Sequence, residues 1–64
     1  MKYFKMTLLG QLFGKDIIGD SLAIVKSRIR DNPVANSTQK AVMLKEFAEI
    51  RGIQLTGQDF EDVK

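Results

Sequence analysis

The sequence has 64 residues, of which 44% are hydrophobic and 28% are charged, and its net charge is +2. A chain this short buries only about 60% of its unfolded surface, so it needs close helix packing, a disulfide, a metal or a partner. It contains no Cys and no His, which excludes disulfides, thiolate metal sites and the commonest zinc ligand. We therefore expect one small domain that is stabilised by helix packing or by a partner.

The first predicted element covers about residues 2–13 and is marked by one apolar stripe. Its apolar residues recur at positions i, i+1, i+4 and i+5, which places them on one face of a helix. The stretch from Tyr3 to Thr7 also suits a strand, so helix and strand both stay open there. Gly14 either separates this element from the next or marks a bend in one longer helix. The stripe comprises Phe4, Leu8, Leu9, Leu12 and Phe13.

The second predicted element is an amphipathic helix over about residues 16–30. Its apolar residues have the alternating spacing of a heptad-like seam. Asp16 suits the N-cap or the first turn. Asn32-Pro33 ends the helix, because a residue before proline is pushed out of the α region. The seam comprises Ile18, Leu22, Val25 and Ile29, and Ile17 and Ile24 widen it.

A third helix is predicted over about residues 37–51. Either Asn36 or Ser37 caps it, and with Asn36 as the cap Gln39 falls at the third helical position, close to a capping box. Gly52 is well placed for a left-handed C-terminal cap. Its apolar face consists of Ala41, Met43, Leu44, Phe47, Ala48 and Ile50.

A short fourth helix is predicted over about residues 56–63. Thr56 suits the N-cap and Asp59 follows three residues later, where a carboxylate favours the start of a helix. Leu55 before the cap and Phe60 at the fourth helical position match a hydrophobic staple.

These elements predict an all-α fold, either a helical hairpin or an array of three to four helices with a short C-terminal helix. Residues 1–64 form a single domain in this prediction, with residues 1–14 as a separable amphipathic segment. The two long helices cover each other, which leaves the first stripe in need of another surface. We therefore predict a partner interface at Phe4, Leu8, Leu9, Leu12 and Phe13, occupied by a second copy, another protein chain or a membrane surface.

The charges divide between the two halves of the chain. Residues 1–30 carry a net charge of +4 and residues 31–64 one of −2. Such polarity favours head-to-tail pairing between copies, or binding of an anionic surface through one end. Lys26, Arg28 and Arg30 are the candidate contacts to an anion, although cations near a helix C-terminus also complement the helix dipole.

No catalytic, metal or cofactor site is predicted. Without His or Cys, general acid–base and nucleophilic chemistry would depend on Ser, Lys, Tyr or carboxylates. Ser37 and Lys40 share a helical face, but Ser37 is interpreted as a helix cap. Asp16 and Asp20 are interpreted as first-turn residues. Neither glycine-rich phosphate-binding motif occurs in the sequence.

Two DNA-binding layouts are alternatives. A helix-turn-helix formed by the third and fourth helices would present Asp59, Glu61 and Asp62 to phosphates, which opposes binding. A ribbon–helix–helix repressor would use residues 3–9 as a strand before the second and third helices. In that case neutralising Lys26, Arg28 and Arg30 would abolish DNA binding.

The stretch from Leu12 to Gly19, which leads into two amphipathic helices, resembles the soluble N-terminal part of holin-type phage membrane proteins. The resemblance covers about residues 8–50. Those proteins continue into membrane-spanning helices, and no window of this sequence approaches the required 20 or so apolar residues, so pore formation is not implied. The resemblance implies a minor virion component or assembly factor, in the host cytoplasm or the virion. A peripheral membrane protein using residues 1–14 is the alternative.

Overall fold

The chain folds into four α-helices and one 3₁₀ helix in a computed structural model that describes residues 6–64. No strand occurs within that range, which confirms the predicted all-α array and its short C-terminal helix. Residues 1–5, including Phe4, lie outside the described part. The α-helices are α1 (Leu8–Phe13), α2 (Leu22–Arg30), α3 (Ser37–Arg51) and α4 (Gly57–Asp62), and the 3₁₀ helix Lys15–Gly19 lies between α1 and α2.

Helix α3 begins and ends where the sequence predicts. The Asn36 side chain accepts from the Gln39 N–H while the Gln39 side chain accepts from the Asn36 N–H, which completes the capping box. Gly52 adopts a left-handed conformation with φ of 67°, and its N–H donates to the Ala48 carbonyl. Because both signals are local in sequence, they define the helix without help from distant residues.

Helix α4 also follows its local signals. The Thr56 hydroxyl accepts from the Asp59 N–H, and the Asp59 carboxylate accepts from the Thr56 N–H at 2.9 Å. Two N–H groups that a short helix would leave unpaired are thereby satisfied. Leu55 and Phe60, the predicted staple pair, are both half-buried against the core.

The single helix predicted over residues 16–30 is instead two elements. Its first part is the 3₁₀ helix, and α2 begins only after Ser21, whose hydroxyl accepts from the Ile24 N–H. Asp16 is therefore not the cap of α2. Gly19 weakens a continuous helix and Ser21 offers a better N-terminus two residues later. The change of winding buries Ile17 rather than Ile18 and leaves Ile24 half exposed.

Helix α1 is separate from the elements that follow it. The Thr7 hydroxyl accepts from the Gly10 N–H at its start, and Gly14 ends it with φ of 76°. This positive φ is strained for residues with a Cβ, so Gly14 is the residue type that the turn requires. The predicted helical stripe is confirmed for residues 8–13.

One hydrophobic cluster joins all these elements. Helix α3 lies at its centre, in contact with α1, the 3₁₀ helix and α2, while α2 also contacts α4. The part of α3 predicted as its apolar face supplies four of the buried residues. The buried cluster consists of Leu9, Ile17, Val25, Ile29, Ala35, Met43, Leu44, Phe47 and Val63, with Ala48 buried beside it.

Candidate functional site

The apolar stripe of α1 lies against the chain's own core. Leu9 is fully buried there, so it cannot contact a second chain while this fold is intact. Leu8, Leu12 and Phe13 are partly buried against the same core. For the described residues of this stripe, Leu8, Leu9, Leu12 and Phe13, the chain's own core thus supplies all or part of the surface that they were expected to need.

The docking of α1 on α3 depends on Glu46. One oxygen of its carboxylate accepts from the Leu8 N–H at 3.1 Å, and the other accepts from the Leu9 N–H at 3.0 Å. These are the first two N–H groups of α1, which have no partner inside the helix. A carboxylate at this position also complements the positive end of the helix dipole. Glu46 therefore caps α1 from 38 residues away.

Two other side chains of α3 cap neighbouring elements. The Lys40 ammonium donates to the Arg30 carbonyl at 2.6 Å, at the C-terminal end of α2. The Arg51 guanidinium donates to the carbonyls of Ile18 and Asp20, where the 3₁₀ helix ends. With Glu46, helix α3 therefore satisfies backbone groups at the ends of three other elements. Nothing in the local sequence pattern predicts these contacts.

Lys26, one of the predicted anion contacts, pairs with α4. Its ammonium lies 2.9 Å from an Asp59 oxygen and 2.8 Å from an Asp62 oxygen. The hydrogen bonds to Asp62 and Asp59 raise the pKa of Lys26 above its ordinary value. The hydrogen bond from Lys26 lowers the pKa of each carboxyl below its ordinary value. The pair links the basic half of the chain to its acidic half.

Arg28 and Arg30, the other predicted anion contacts, also face carboxylates. Arg28 lies 2.9 Å from Asp20, with its guanidinium 5.3 Å from the centre of the Phe13 ring. Arg30 lies 3.1 Å from its neighbour Asp31. All three cations are thus already paired within the chain, so a phosphate would have to compete with a carboxylate for each of them.

The residues considered for catalysis are engaged elsewhere or lie apart. Lys40 binds the end of α2, and Asp20 pairs with Arg28. Within residues 6–64, no group of three or more carboxylates is arranged to hold a metal ion. No helix in that same range is long and apolar enough to cross a membrane.

An open, shallow groove of about 480 Å³ is lined by the C-terminal half of α3, by the turn that follows it and by Phe60 of α4. It is too open to enclose a small ligand, and it suits contact with a larger surface. Gly52 forms one margin, where the chain turns away from α3. The groove has an apolar floor of Ala48, Ile53, Leu55 and Phe60, and a polar rim of Lys45, Glu49 and Gln54. We call this surface the α3–α4 groove.

The rim of the α3–α4 groove carries one positive and one negative charge. Lys45 and Glu49 are exposed and one helical turn apart. In the described part of the chain, neither forms an ion pair, whereas most other charged side chains do or cap a helix. These two charges are therefore free to meet an external group.

Four large apolar side chains remain exposed in the described residues. Met6 and Val34 are about three-quarters exposed, Ile24 is half exposed, and Val42 is 41% exposed. Val42 lies one turn before Lys45 on the outward face of α3. The sequence pattern assigns Ala48, Leu55 and Phe60 to packing and Gly52 to a helix cap, and it predicts no partner contact in this face or in the groove.

Comparisons with known protein families, curated proteins and solved structures give no match to this chain. Its function must therefore be inferred from its own residues.

Proposed function

We propose that the protein is a non-enzymatic interaction protein that binds another polypeptide through the α3–α4 groove. The observation that carries this proposal is the apolar floor bordered by the unpaired charges of Lys45 and Glu49. An apolar centre with a polar rim is the usual anatomy of a protein–protein contact.

The mixed charge of the rim favours a polypeptide over a polyanion. Lys45 attracts a phosphate, but Glu49, one turn away, repels it. A protein segment can offer an acidic and a basic group together with an apolar side chain. The described basic residues best suited to nucleic acid, Lys26, Arg28 and Arg30, are held by carboxylates of the chain itself.

The nucleic-acid and membrane alternatives have less support from the structure. Leu8 and Leu9 of the strand required by a ribbon–helix–helix protein belong to α1. An interfacial membrane helix at residues 1–14 would need to present the α1 stripe outward, yet its Leu9 is buried. We do not propose either function.

A role as a minor virion component or assembly factor suits an interaction module of this size. We propose the virion or its assembly as the setting because of the resemblance to phage proteins. In that setting a small chain would act by binding at one position on a larger assembly.

Site-specific photo-crosslinking in the cells that naturally express the chain tests the proposal. A benzoylphenylalanine at Gln54, on the groove rim, is expected to give one defined crosslinked polypeptide. The control places the same group at Ala23, which is exposed on α2 and does not line the groove. No crosslink at Gln54, or the same products from both positions, would refute the proposal.

A further inference from the structure

We infer that the polypeptide bound at the α3–α4 groove is a second copy of this chain, paired antiparallel through α3. The inference rests on the proposed function and specifies its partner. The surface concerned is the outward face of α3, where exposed residues recur every three or four positions along one side of the helix. We call it the α3 stripe: Thr38, Val42, Lys45, Glu49 and Gly52.

The charges of the α3 stripe are complementary to themselves. A two-fold axis places the same surface on both sides, so residue i meets residue j and j meets i. With the axis at the level of residue 47, Lys45 of each copy faces Glu49 of the other. Two ion pairs therefore form by reciprocity from the two charges that are unpaired in the single chain.

The apolar part of the stripe is complementary in the same arrangement. Residues equally distant from the axis oppose each other, so Val42 of one copy faces the Gly52 end of α3 in the other. Gly52 has no side chain to obstruct a neighbouring helix, and Ile53 and Phe60 of the groove lie beside it. Val42, now 41% exposed, would be covered by an apolar surface that is itself open.

The dimensions of the stripe predict a weak dimer. Helix α3 has 15 residues, which corresponds to a length of about 22 Å. A standard interface buries about 800 Å² on each partner, close to a fifth of the 4220 Å² exposed by one chain. One helix face supplies less than this, so dissociation in the micromolar range or weaker is expected.

Charge reversal distinguishes this pairing from other modes of association. Lys45→Glu brings two carboxylates together at each contact, and Glu49→Lys brings two ammonium groups together, so each variant alone should dissociate about tenfold more readily or worse. The double variant restores both pairs with reversed polarity. An equimolar mixture of the two single variants is also complementary and should associate as a heterodimer.

Sedimentation equilibrium of the full chain at low ionic strength measures these constants, with circular dichroism to verify that each variant is folded. Val42→Lys is expected to abolish association, while the control Val34→Lys, at a loop residue that is more exposed still, is expected to leave it unchanged.

A monomer at millimolar concentration, or association that ignores the single charge reversals and is not restored by mixing, would overturn the inference. The proposed function is judged separately by the Gln54 crosslink. A crosslink to a different protein, together with a monomeric chain, would retain the function and reject the second copy as partner.

Discussion

The two halves of the molecule differ in which residues cap the ends of their helices. Helices α3 and α4 are capped by residues within three positions of their N-termini, through the Asn36–Gln39 and Thr56–Asp59 capping boxes. The elements before residue 32 receive additional caps from distant side chains. These come from Glu46 for α1, Arg51 for the 3₁₀ helix and Lys40 for α2.

This difference implies an asymmetric dependence. Helices α3 and α4 each start with a complete capping box, whereas α1 starts with the single side-chain cap of Thr7 and receives its other two hydrogen bonds from Glu46 of α3. An isolated helix of six residues is unstable in water, so α1 depends on what α3 supplies. The elements before residue 32 should therefore lose order when α3 is altered, while α3 should tolerate changes in those elements better.

The largest expected effect is that the substitution Phe47→Ala unfolds both halves of the molecule together. Phe47 is fully buried at the centre of the core, and truncating a buried Phe costs about 3–5 kcal/mol. That equals the roughly 3–5 kcal/mol that a core of this size supplies. We expect an unfolded chain by circular dichroism, whereas Val42→Ala on the exposed face of α3 should stay folded. A cooperative melt of Phe47→Ala near that of the original chain would contradict this account.

Removal of the Glu46 cap should destabilise α1 without destabilising α4. Glu46→Ala leaves the first two N–H groups of α1 without their charged acceptor, at an expected cost of about 2 kcal/mol. Amide hydrogen exchange by NMR should accelerate in α1 and change little in α4. Ser37→Ala, at an exposed residue of the same helix that lies outside the α3 stripe, is the control. Equal acceleration in α1 and α4 would show that the cap has no selective role.

Removal of a local cap should destabilise α4 and leave α1 unchanged, which is the reverse of the effect expected for Glu46→Ala. Thr56→Ala is expected to destabilise α4 by about 1 kcal/mol, seen as faster amide exchange in α4 with α1 unaffected. Thr38→Ala, inside α3 and not a cap, should leave both helices protected. If α1 responded to Thr56→Ala as strongly as α4 does, the distinction between local and distant capping would fail.

The smallest effect should come from the Lys26 pair, which is partly exposed. Because the pKa values of Asp59 and Asp62 are lowered, their contribution is complete above the ordinary value of 3.8 and declines as pH falls through the lower folded values. Because the pKa of Lys26 is raised, its contribution is complete below 10.5 and declines as pH rises through the higher folded value.

Urea unfolding across the pH range measures this contribution. Lys26→Met should reduce stability at neutral pH and should weaken the acid dependence below pH 3.8. Lys15→Met, at an exposed lysine before α2, should preserve that dependence. An unchanged acid limb in Lys26→Met would exclude the pair as its source.

The parts of the fold predictable from sequence are those with local signals. The bounds of α3 and the caps of α4 follow from residues within one turn of each end. The start of the second helix was predicted wrongly. Apolar residues keep a helical spacing on both sides of Ser21, so the prediction followed this periodicity and overlooked Ser21 as the cap. The distant caps were not predictable, since a Glu or Lys at a helical spacing looks the same whether it binds solvent or another helix.

The candidate site was missed for a related reason. The predicted interface on α1 assumed that only two helices cover each other, so the docking of Leu9 on α3 was not foreseen. The α3–α4 groove joins Lys45 to Phe60 across a turn, and no periodicity connects residues on two such elements. The groove exists only because the turn after Gly52 brings Phe60 of α4 near the end of α3.

The cap that Glu46 provides for α1 also has a consequence during protein synthesis. Residues 8–13 are synthesised before α3, and their capping carboxylate is made 38 residues after Leu8. At about 5–20 residues per second this interval lasts roughly 2–8 s. Throughout it the leucines of α1 have no helix to pack on, so α1 cannot reach its native position until most of α3 has been translated.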